Sequence, residues 1–171
     1  QGHIAYLDTV LNGKRGMLLD VGCSLGLFDQ LFVKAGFTVF GVDQIPEAIE
    51  IAKNKVPKGT FFVCDATDLP YYKMFDVVFM HTVLQHMKID PKTATLKGIY
   101  AALKTGGVFF MQECLLTAEN WPTINKEVPY DDGVSDGYSY TESGWKILLS
   151  GIGFMPISVH RDNHWFLFKK T

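Results

Sequence analysis

Two kinds of hydrophobic pattern alternate along the first two thirds of the chain. Five short apolar runs have the length of buried strands, and they occupy residues 17–21, 37–42, 60–64, 75–80 and 108–113. Four segments repeat apolar residues at helical spacing, and they occupy residues 3–12, 27–35, 47–55 and 91–104. In the second of these helices the apolar face would consist of Leu27, Phe28, Leu31 and Phe32. Because strands and helices alternate, the pattern predicts a mostly parallel sheet with helices on both faces.

The segment after the fifth strand is less regular. Residues 117–138 contain two prolines, two glycines and several acids without a clear period, which predicts a long loop. Long loops in compact domains tend to be lids or binding segments, so this loop is a candidate lid over an acceptor. The next four residues, 139–142, have capping-box spacing and predict a helix that stops at Gly151 or Gly153.

The chain ends in a predicted hairpin. Residues 157–160 and 164–169 read as strands, and residues 161–163 between them predict a tight turn. The hairpin would give the sheet an antiparallel edge. The whole pattern therefore predicts an α/β fold, a three-layer sandwich with a mostly parallel seven-stranded sheet whose last strand is antiparallel. A chain of 171 residues has the size of one domain, so we expect a single domain over residues 1–171.

Composition, net charge and cysteine content limit the classes of function that the chain can have. The chain is 47% hydrophobic and 20% charged, so it can bury a core. A formal net charge of -2 lacks the basic footprint of a nucleic-acid-binding protein, and no apolar run is long enough to span a bilayer. No signal-peptide pattern is seen, and Cys23, Cys64 and Cys114 are widely spaced, which favours a cytoplasmic protein with reduced cysteines. Since the chain begins at Gln1 rather than Met, we expect a segment upstream of it.

The most informative segment joins the first strand to the second helix. Gly22 and Gly26 let the backbone turn tightly and approach a ligand, and the helix that follows offers free N–H groups. Asp43 ends the next strand about twenty residues later, where a carboxylate can accept both ribose hydroxyls of a nucleoside. Ser24 stands where a dinucleotide fingerprint needs glycine, so the turn favours a nucleoside without a pyrophosphate.

Five ordered segments resemble the motifs of class I S-adenosylmethionine-dependent methyltransferases. They are residues 19–26, 41–43, 63–70, 75–81 with 83–87, and 103–109. The resemblance runs from about residue 16 to residue 113, and it departs from the family at Ser24, where the family most often has glycine. It implies a methyltransferase that uses S-adenosyl-L-methionine and releases S-adenosyl-L-homocysteine.

The resemblance also implies roles for single residues. Gly22, Gly26 and the backbone of Cys23 would line the methionine part of the cofactor. Asp20 would fix the turn and face the amino group, and Asp43 would hold the ribose.

The adenine would lie further along the same edge. Gln44 and Ile45 would flank the ring, Asp65 would accept from its amino group, and the N–H of Ala66 would meet a ring nitrogen. All these positions follow the carboxyl ends of strands, where open α/β sheets bind ligands.

Methyl transfer from a sulfonium mainly requires alignment of the acceptor with the methyl group. Met80 and His81 would sit near the sulfonium. If the acceptor must lose a proton, His86 is the first candidate base, with His81 as a positioner; a structural histidine is the alternative for His86. Glu113 ends the fifth strand and would bind an acceptor amine or hydroxyl, or else begin a polar loop.

Other residues of the last third are weaker candidates for contact with the acceptor. They are Trp121, Tyr130, Asp131, Asp132, Tyr138, Tyr140, His160, Arg161 and His164. The two aspartates could instead hold a metal or belong to a solvated loop, and we expect no metal site.

A small-molecule acceptor is the default expectation. Amino-methylating enzymes of nucleic-acid bases carry an Asn/Asp-Pro-Pro-Tyr/Phe signature after the fourth strand, whereas residues 80–83 read Met-His-Thr-Val. Three alternatives stay open: a nicotinamide-dependent oxidoreductase on a similar sheet, a non-catalytic partner subunit that binds the cofactor, and use of an altered cofactor. The sequence gives no oligomeric state.

Overall fold

The structure is a computed structural model, and it describes residues 2–113, the backbone of 128–131 and 136–139, and residues 140–171. The helices are α1 (Gly2–Leu11), α2 (Leu27–Lys34), α3 (Pro46–Lys55), α4 (Ile89–Ala102) and α5 (Glu142–Ile152). The strands are β1 (Met17–Val21), β2 (Thr38–Asp43), β3 (Thr60–Val63), β4 (Phe75–His81), β5 (Leu103–Gln112), β6 (Val128–Asp131), β7 (Asp136–Ser139), β8 (Phe154–His160) and β9 (Trp165–Lys170).

Seven strands form one sheet in the order β3-β2-β1-β4-β5-β9-β8. The first five pair in parallel, and β9 is antiparallel to both of its neighbours, β5 and β8. The seven-stranded α/β fold with an antiparallel last strand is therefore confirmed. The last strand lies inside the sheet, and β8 forms the edge, where Pro156 is tolerated because an edge strand leaves N–H positions unpaired.

Alternating residues of the strands build a core on each face of the sheet. Leu18 and Val77 belong to the core that α1 and α2 cover, which contains Leu7 and Phe32. Their neighbours along the strands face the opposite core, which α4 and α5 cover. Helix α3 packs on the end of the sheet around Phe61. The helices on both faces complete the expected three-layer sandwich.

The segment predicted as a loop, 117–138, contains strand structure where the structure describes it. Residues 128–131 pair with residues 136–139 as the antiparallel strands β6 and β7, so the second strand extends one residue past the predicted loop. Short segments without strict alternation give a weak strand signal, which is why the pattern missed them. The remainder of that loop, and with it Trp121 and Asp132, lies outside the described residues.

Three boundaries also differ from expectation. The N-cap of α5 is Thr141, whose Oγ1 accepts the N–H of Gly144 at 3.2 Å, and not Ser139. Strand β8 begins at residue 154 instead of 157. Helix α4 starts at residue 89 with Pro91 in its first turn, where the missing N–H of proline has no partner to lose.

Candidate active site

An open cleft of about 1090 Å³ lies at the carboxyl ends of the parallel strands. The segments that follow β1, β2, β3 and β4 form its walls, and they contribute Gly22, Ser24, Asp43, Gln44, Ile45, Asp65, Ala66, His81, Thr82 and His86, among others. Parallel strands end at one edge of the sheet, so residues far apart in the sequence meet there. The cleft is at the upper end of the volumes of small-molecule sites.

The turn after β1 is held against β2. The N–H groups of Gly22 and Cys23 both donate to the carbonyl of Val42, at 2.8 and 3.0 Å. Gly22 has a φ of +78°, and a Cβ there would collide with Cγ2 of Val83 in the wall across the cleft. Ser24 also takes the left-handed conformation, with φ +48°. The turn therefore presents backbone rather than side chains at this point, as a cradle for a ligand requires.

Asp43 is fixed at the tip of β2 by two backbone donors. Its Oδ2 accepts the N–H of Ser24 at 2.9 Å, and its Oδ1 accepts the N–H of Ile45 at 3.0 Å. One carboxylate thus ties the glycine turn to the segment that follows β2. Because each carboxylate oxygen can accept a second hydrogen bond, Asp43 keeps capacity for two ligand hydroxyls.

Asp65 forms the far wall, just after β3. Its Oδ1 accepts from both the N–H and the Oγ1 hydroxyl of Thr67, each at 2.8 Å, and so caps the short 3₁₀ turn at Ala66–Asp68. These bonds lower the pKa of Asp65, so the group is charged at neutral pH. Both bonds use the same oxygen, which leaves Oδ2 for a ligand.

A pair of buried carboxyls lies beneath the glycine turn. Asp20 on β1 is 2% exposed and Asp29 on α2 is 0% exposed. Burial raises the pKa of Asp20 well above its usual range, and the facing carboxyl of Asp29 adds to the shift. Burial likewise raises the pKa of Asp29 to about 7. Asp29 was not foreseen, because an acid on the buried side of a helix breaks the hydrophobic pattern.

The wall after β4 carries the histidines. His81 is half-buried, its Nδ1 lies 3.1 Å from Oγ1 of Thr82, and its ring centroid is 4.6 Å from that of Phe28. Thr82 is left-handed, with φ +53°, so the chain reverses there into the 3₁₀ turn at Leu84–His86. His86 ends that turn, is exposed and lines the cleft.

Comparison with known proteins decides the family. The methyltransferase domain family matches residues 19–111, which are more than half of the chain and contain most of the cleft. The chain belongs to the class I S-adenosylmethionine-dependent methyltransferases.

Individual relatives agree with this assignment. An uncharacterised methyltransferase of Synechocystis sp. is 29% identical over 140 residues, which cover 80% of this chain and 62% of that protein. A ubiquinone biosynthesis O-methyltransferase of Haemophilus ducreyi is 32% identical over 117 residues, which cover 62% of this chain and 49% of that protein. The chain thus spans less than two thirds of the length of these curated relatives.

The fold is also that of solved methyltransferases. The 1,6-didemethyltoxoflavin-N1-methyltransferase of Burkholderia thailandensis, solved with bound 1,6-didemethyltoxoflavin and S-adenosylhomocysteine, superposes with a TM-score of 0.80 and 22% identity. The match covers 100% of this chain and 77% of that one.

The methyltransferase does not bring every expected cofactor residue to the cleft surface. Gly22, Asp43, Gln44, Ile45, Asp65, Ala66 and His81 line it. Cys23 is buried beneath the turn, with its Sγ near Gly41, and Met80 is 0% exposed in the core. Gly26 begins α2 with φ +72° and packs on Ala52 of α3. Asp20 is also absent from the cleft surface, at 2% exposure. The expected cofactor contacts of all these residues stay predictions.

Glu113 lies behind the cleft wall instead of in it. Its Oε1 accepts the N–H groups of Val83 and Leu84, both at 2.9 Å, and its Oε2 accepts the N–H of Gln85 at 3.1 Å. The residue is 0% exposed. Burial raises its pKa to about 7, although the three N–H donors and the nearby charge of Lys92 favour the carboxylate. Glu113 therefore holds the wall in place, and the expectation that it contacts an acceptor remains a prediction.

Helix α1 adds a histidine that the sequence did not single out. Nε1 of Trp165 donates to Oε1 of Gln112 at 2.8 Å, and the same oxygen lies 3.1 Å from Nε2 of His3. Indole N–H can only donate, so this oxygen is an acceptor and His3 donates to it. Burial lowers the pKa of both His3 and His81, and the pKa of His81 is lowered further by His3 when His3 is protonated. Both imidazoles are therefore neutral at neutral pH.

The remaining candidates are dispersed. Tyr140 is buried against Trp145, with a ring-centroid distance of 5.0 Å, and Arg161 pairs with Glu142 at 2.7 Å. His160 packs beside Trp165. The side chains of Tyr130, Asp131 and Tyr138 lie outside the described residues. Within residues 2–113 and 140–171, no group of His, Cys, Asp and Glu side chains is arranged to bind a metal ion. None of the described helices could cross a membrane.

Proposed function

We propose that this chain binds S-adenosyl-L-methionine in the cleft and transfers its methyl group to a small-molecule acceptor. The observation that carries the proposal is the Asp43 carboxylate, fixed by the N–H groups of Ser24 and Ile45 beside the backbone of the glycine turn that lines the cleft. The cofactor, when bound, supplies a methyl group already activated by its sulfonium.

Different residues of the cleft contact different parts of the cofactor. Asp43 accepts the ribose hydroxyls with the capacity that its two backbone bonds leave open. Gln44 and Ile45 border the adenine, and Asp65 and the N–H of Ala66 meet its polar edge. The order of these residues along the cleft wall, from the turn after β1 to the turn after β3, supports this division.

The acceptor lies at the β4 wall, beside His81 and His86. His81 is neutral because burial lowers its pKa, so its imidazole can accept a proton from a hydroxyl or amine. His86 is exposed at the end of a turn whose backbone Glu113 anchors. It is therefore the first candidate for a general base that takes a proton from the acceptor. The Haemophilus ducreyi relative is by its name an O-methyltransferase of ubiquinone biosynthesis, and the Burkholderia thailandensis enzyme was solved with bound 1,6-didemethyltoxoflavin. Both support a small organic acceptor here.

Calorimetric titration tests whether the protein binds the proposed cofactor. We expect heat on binding of S-adenosylhomocysteine and none with NAD, because Ser24 occupies the position that a pyrophosphate needs. Heat with NAD alone would instead support the oxidoreductase reading, which the family match does not favour.

Transfer of a radiolabelled methyl group from S-adenosylmethionine tests which class of molecule is the acceptor. The label is offered with the low-molecular-mass fraction of a cell extract and, separately, with its protein and nucleic-acid fractions. Transfer only to the first fraction supports the proposal, and transfer to a macromolecule contradicts it. Tight cofactor binding without transfer to any fraction would favour a non-catalytic partner subunit. A cytoplasmic location, a single domain and an acceptor lid at about 117–138 stay predictions.

A further inference from the structure

Among the described residues, the two buried carboxyls beneath the glycine turn face each other and no cation. Both side-chain oxygens of Asp29 are buried and accept no hydrogen bond from any donor of the described residues. The Asp20 carboxyl faces Asp29 and is nearly as buried, at 2% exposure. Buried polar atoms are nearly always paired, so an orphaned carboxyl next to a ligand cleft calls for an explanation.

The surroundings of the pair are acidic or neutral. Asp43 on β2 and the thiol of Cys23 are the titratable groups that act on the pair from the adjoining elements. Among the salt bridges of the described residues, none involves Asp20 or Asp29. Two facing carboxylates without a cation cannot both be charged in a buried place, so one proton remains between them.

A primary ammonium is the ligand group that suits such a pair. It brings the missing positive charge and only donates hydrogen bonds, whereas ionised carboxylates only accept them. The cofactor of the proposed function carries one ammonium group, on its methionine end, and the resemblance places that end at Asp20. Neither Asp20 nor Asp29 is among the residues that line the open cleft, and the pair lies beneath the turn whose Gly22 does line it.

We propose that Asp29 is a positioning residue that acts through Asp20 on the ammonium of the cofactor's amino-acid end, and that the proton of the pair leaves to solvent when the ammonium binds. The step breaks one carboxyl O–H bond, forms N–H···O hydrogen bonds, and changes no other covalent bond. The inference rests on the proposed function and deepens it, because it assigns a residue outside the cleft to cofactor recognition.

Proton-linked calorimetry tests the inference. S-adenosylhomocysteine is titrated into the protein at about pH 6.5 in buffers of different ionisation enthalpy, and the dependence of the heat on the buffer gives the protons released. We expect release approaching one proton per bound ligand. Methylthioadenosine, which shares the nucleoside but lacks the amino-acid end, serves as the matched ligand and should release none.

Two variants separate the role of Asp29 from that of the ribose site. Asp29→Asn should abolish the proton release and weaken S-adenosylhomocysteine binding about tenfold at about pH 8, with methylthioadenosine affinity unchanged. Asp43→Asn, the control, should weaken both ligands to a similar degree. Asp29→Leu, which removes the buried charge and favours the helix, provides a second test if the asparagine variant folds poorly.

The outcomes distinguish the two proposals. Binding of S-adenosylhomocysteine without proton release, or an Asp29→Asn protein that still prefers it over methylthioadenosine to the wild-type extent, overturns this inference and leaves the methyltransferase proposal standing. If neither the cofactor nor its product binds at all, the proposed function fails instead.

Discussion

The acidic residues at the end of the sheet differ in how much of their hydrogen-bonding capacity the protein itself uses. Glu113 accepts three backbone N–H groups and Asp43 accepts two, whereas Asp29 accepts no backbone N–H group from the described part of the chain. A carboxylate offers about four acceptor sites, so Asp43 can serve a ligand while Glu113 is mainly committed to its own chain. The same side-chain chemistry therefore supports the cleft wall at Glu113 and leaves acceptor sites open at Asp43.

Removal of the Asp43 carboxylate should weaken the cofactor site. In Asp43→Ala we expect the affinity for S-adenosylhomocysteine to fall about tenfold or more, since charge-assisted hydrogen bonds contribute about 1.5–3 kcal/mol. Calorimetry measures the change. Asp76→Asn is a suitable control, because Asp76 also accepts a backbone N–H, from Met17 at 2.9 Å, but lies at the opposite end of the sheet. Unchanged affinity in Asp43→Ala would contradict the ribose assignment.

Glu113 should make the stability of the protein depend on pH. Its pKa is about 7 in the folded chain against 4.5 ordinarily, so the folded state keeps a proton that the unfolded state releases. The stabilisation is present below about pH 4.5 and is lost as the pH rises through about 7. Relative to the neutral Glu113→Gln, the wild type should lose up to about 3 kcal/mol of unfolding free energy over this range.

Urea denaturation at a series of pH values measures this difference. Asp20 and Asp29 titrate in both proteins, so their contributions cancel in the comparison. A constant gap between wild type and Glu113→Gln from about pH 4.5 to about pH 8 would show that Glu113 has an ordinary pKa.

At the scale of elements, residues in the left-handed backbone conformation determine the shape of the cleft at the ends of the strands. Gly22 and Ser24 follow β1, and Thr82 follows β4, all with positive φ. These residues let the chain fold back sharply, so the walls stay close to the strand tips. Val83 fills the space that the missing Cβ of Gly22 leaves, and Glu113 fixes Val83 from behind. The two walls are thereby in direct contact.

A matched pair of glycines tests this contact. Gly22 and Gly13 have nearly the same φ, +78° and +72°, but a Cβ meets Val83 at the first and nothing within 4 Å at the second. Gly13→Ala should therefore cost only the left-handed penalty, about 1–2 kcal/mol. Gly22→Ala should cost about 1–3 kcal/mol more and also impair S-adenosylhomocysteine binding. Equal losses of unfolding free energy in the two variants would argue against the wall contact.

Some helices and strands could be predicted from the sequence more completely than others. Strands β1 and β4 are buried on both faces, so their continuous apolar runs could be recognised. The edge strand β3 has a similar run although Phe62 and Val63 are about half exposed. The position of Asp43 could be predicted because it ends the second strand of this series. The β6–β7 hairpin lacks such a run, and the capping-box spacing of residues 139–142 placed the start of α5 two residues before its N-cap at Thr141. Leu27, expected on the apolar face of α2, is 62% exposed, whereas Asp29 of the same helix is fully buried. A buried acid can be found only once the neighbouring strands are in place.

At the scale of the whole molecule, the sheet needs cover on both faces, and α1 supplies part of it. Leu7 of α1 is 0% exposed and joins the core that includes Phe110 and Trp165. The same helix carries His3 to Gln112 at the end of β5. The packing of α1 therefore links the hydrophobic core to the polar groups near His81.

Truncation of one side chain in α1 should thus affect both core and site. Leu7→Ala should cost about 2–5 kcal/mol of unfolding free energy, because it leaves a cavity in a fully buried place. Ile51→Ala, on the outer side of α3 with 41% exposure, should cost less than about 1 kcal/mol. Urea denaturation compares the two. Because Leu7 and His3 share a helix, the His3 imidazole resonance should also shift in Leu7→Ala and stay in place in Ile51→Ala. Equal stability of the two variants would mean that α1 is not part of the cooperative fold.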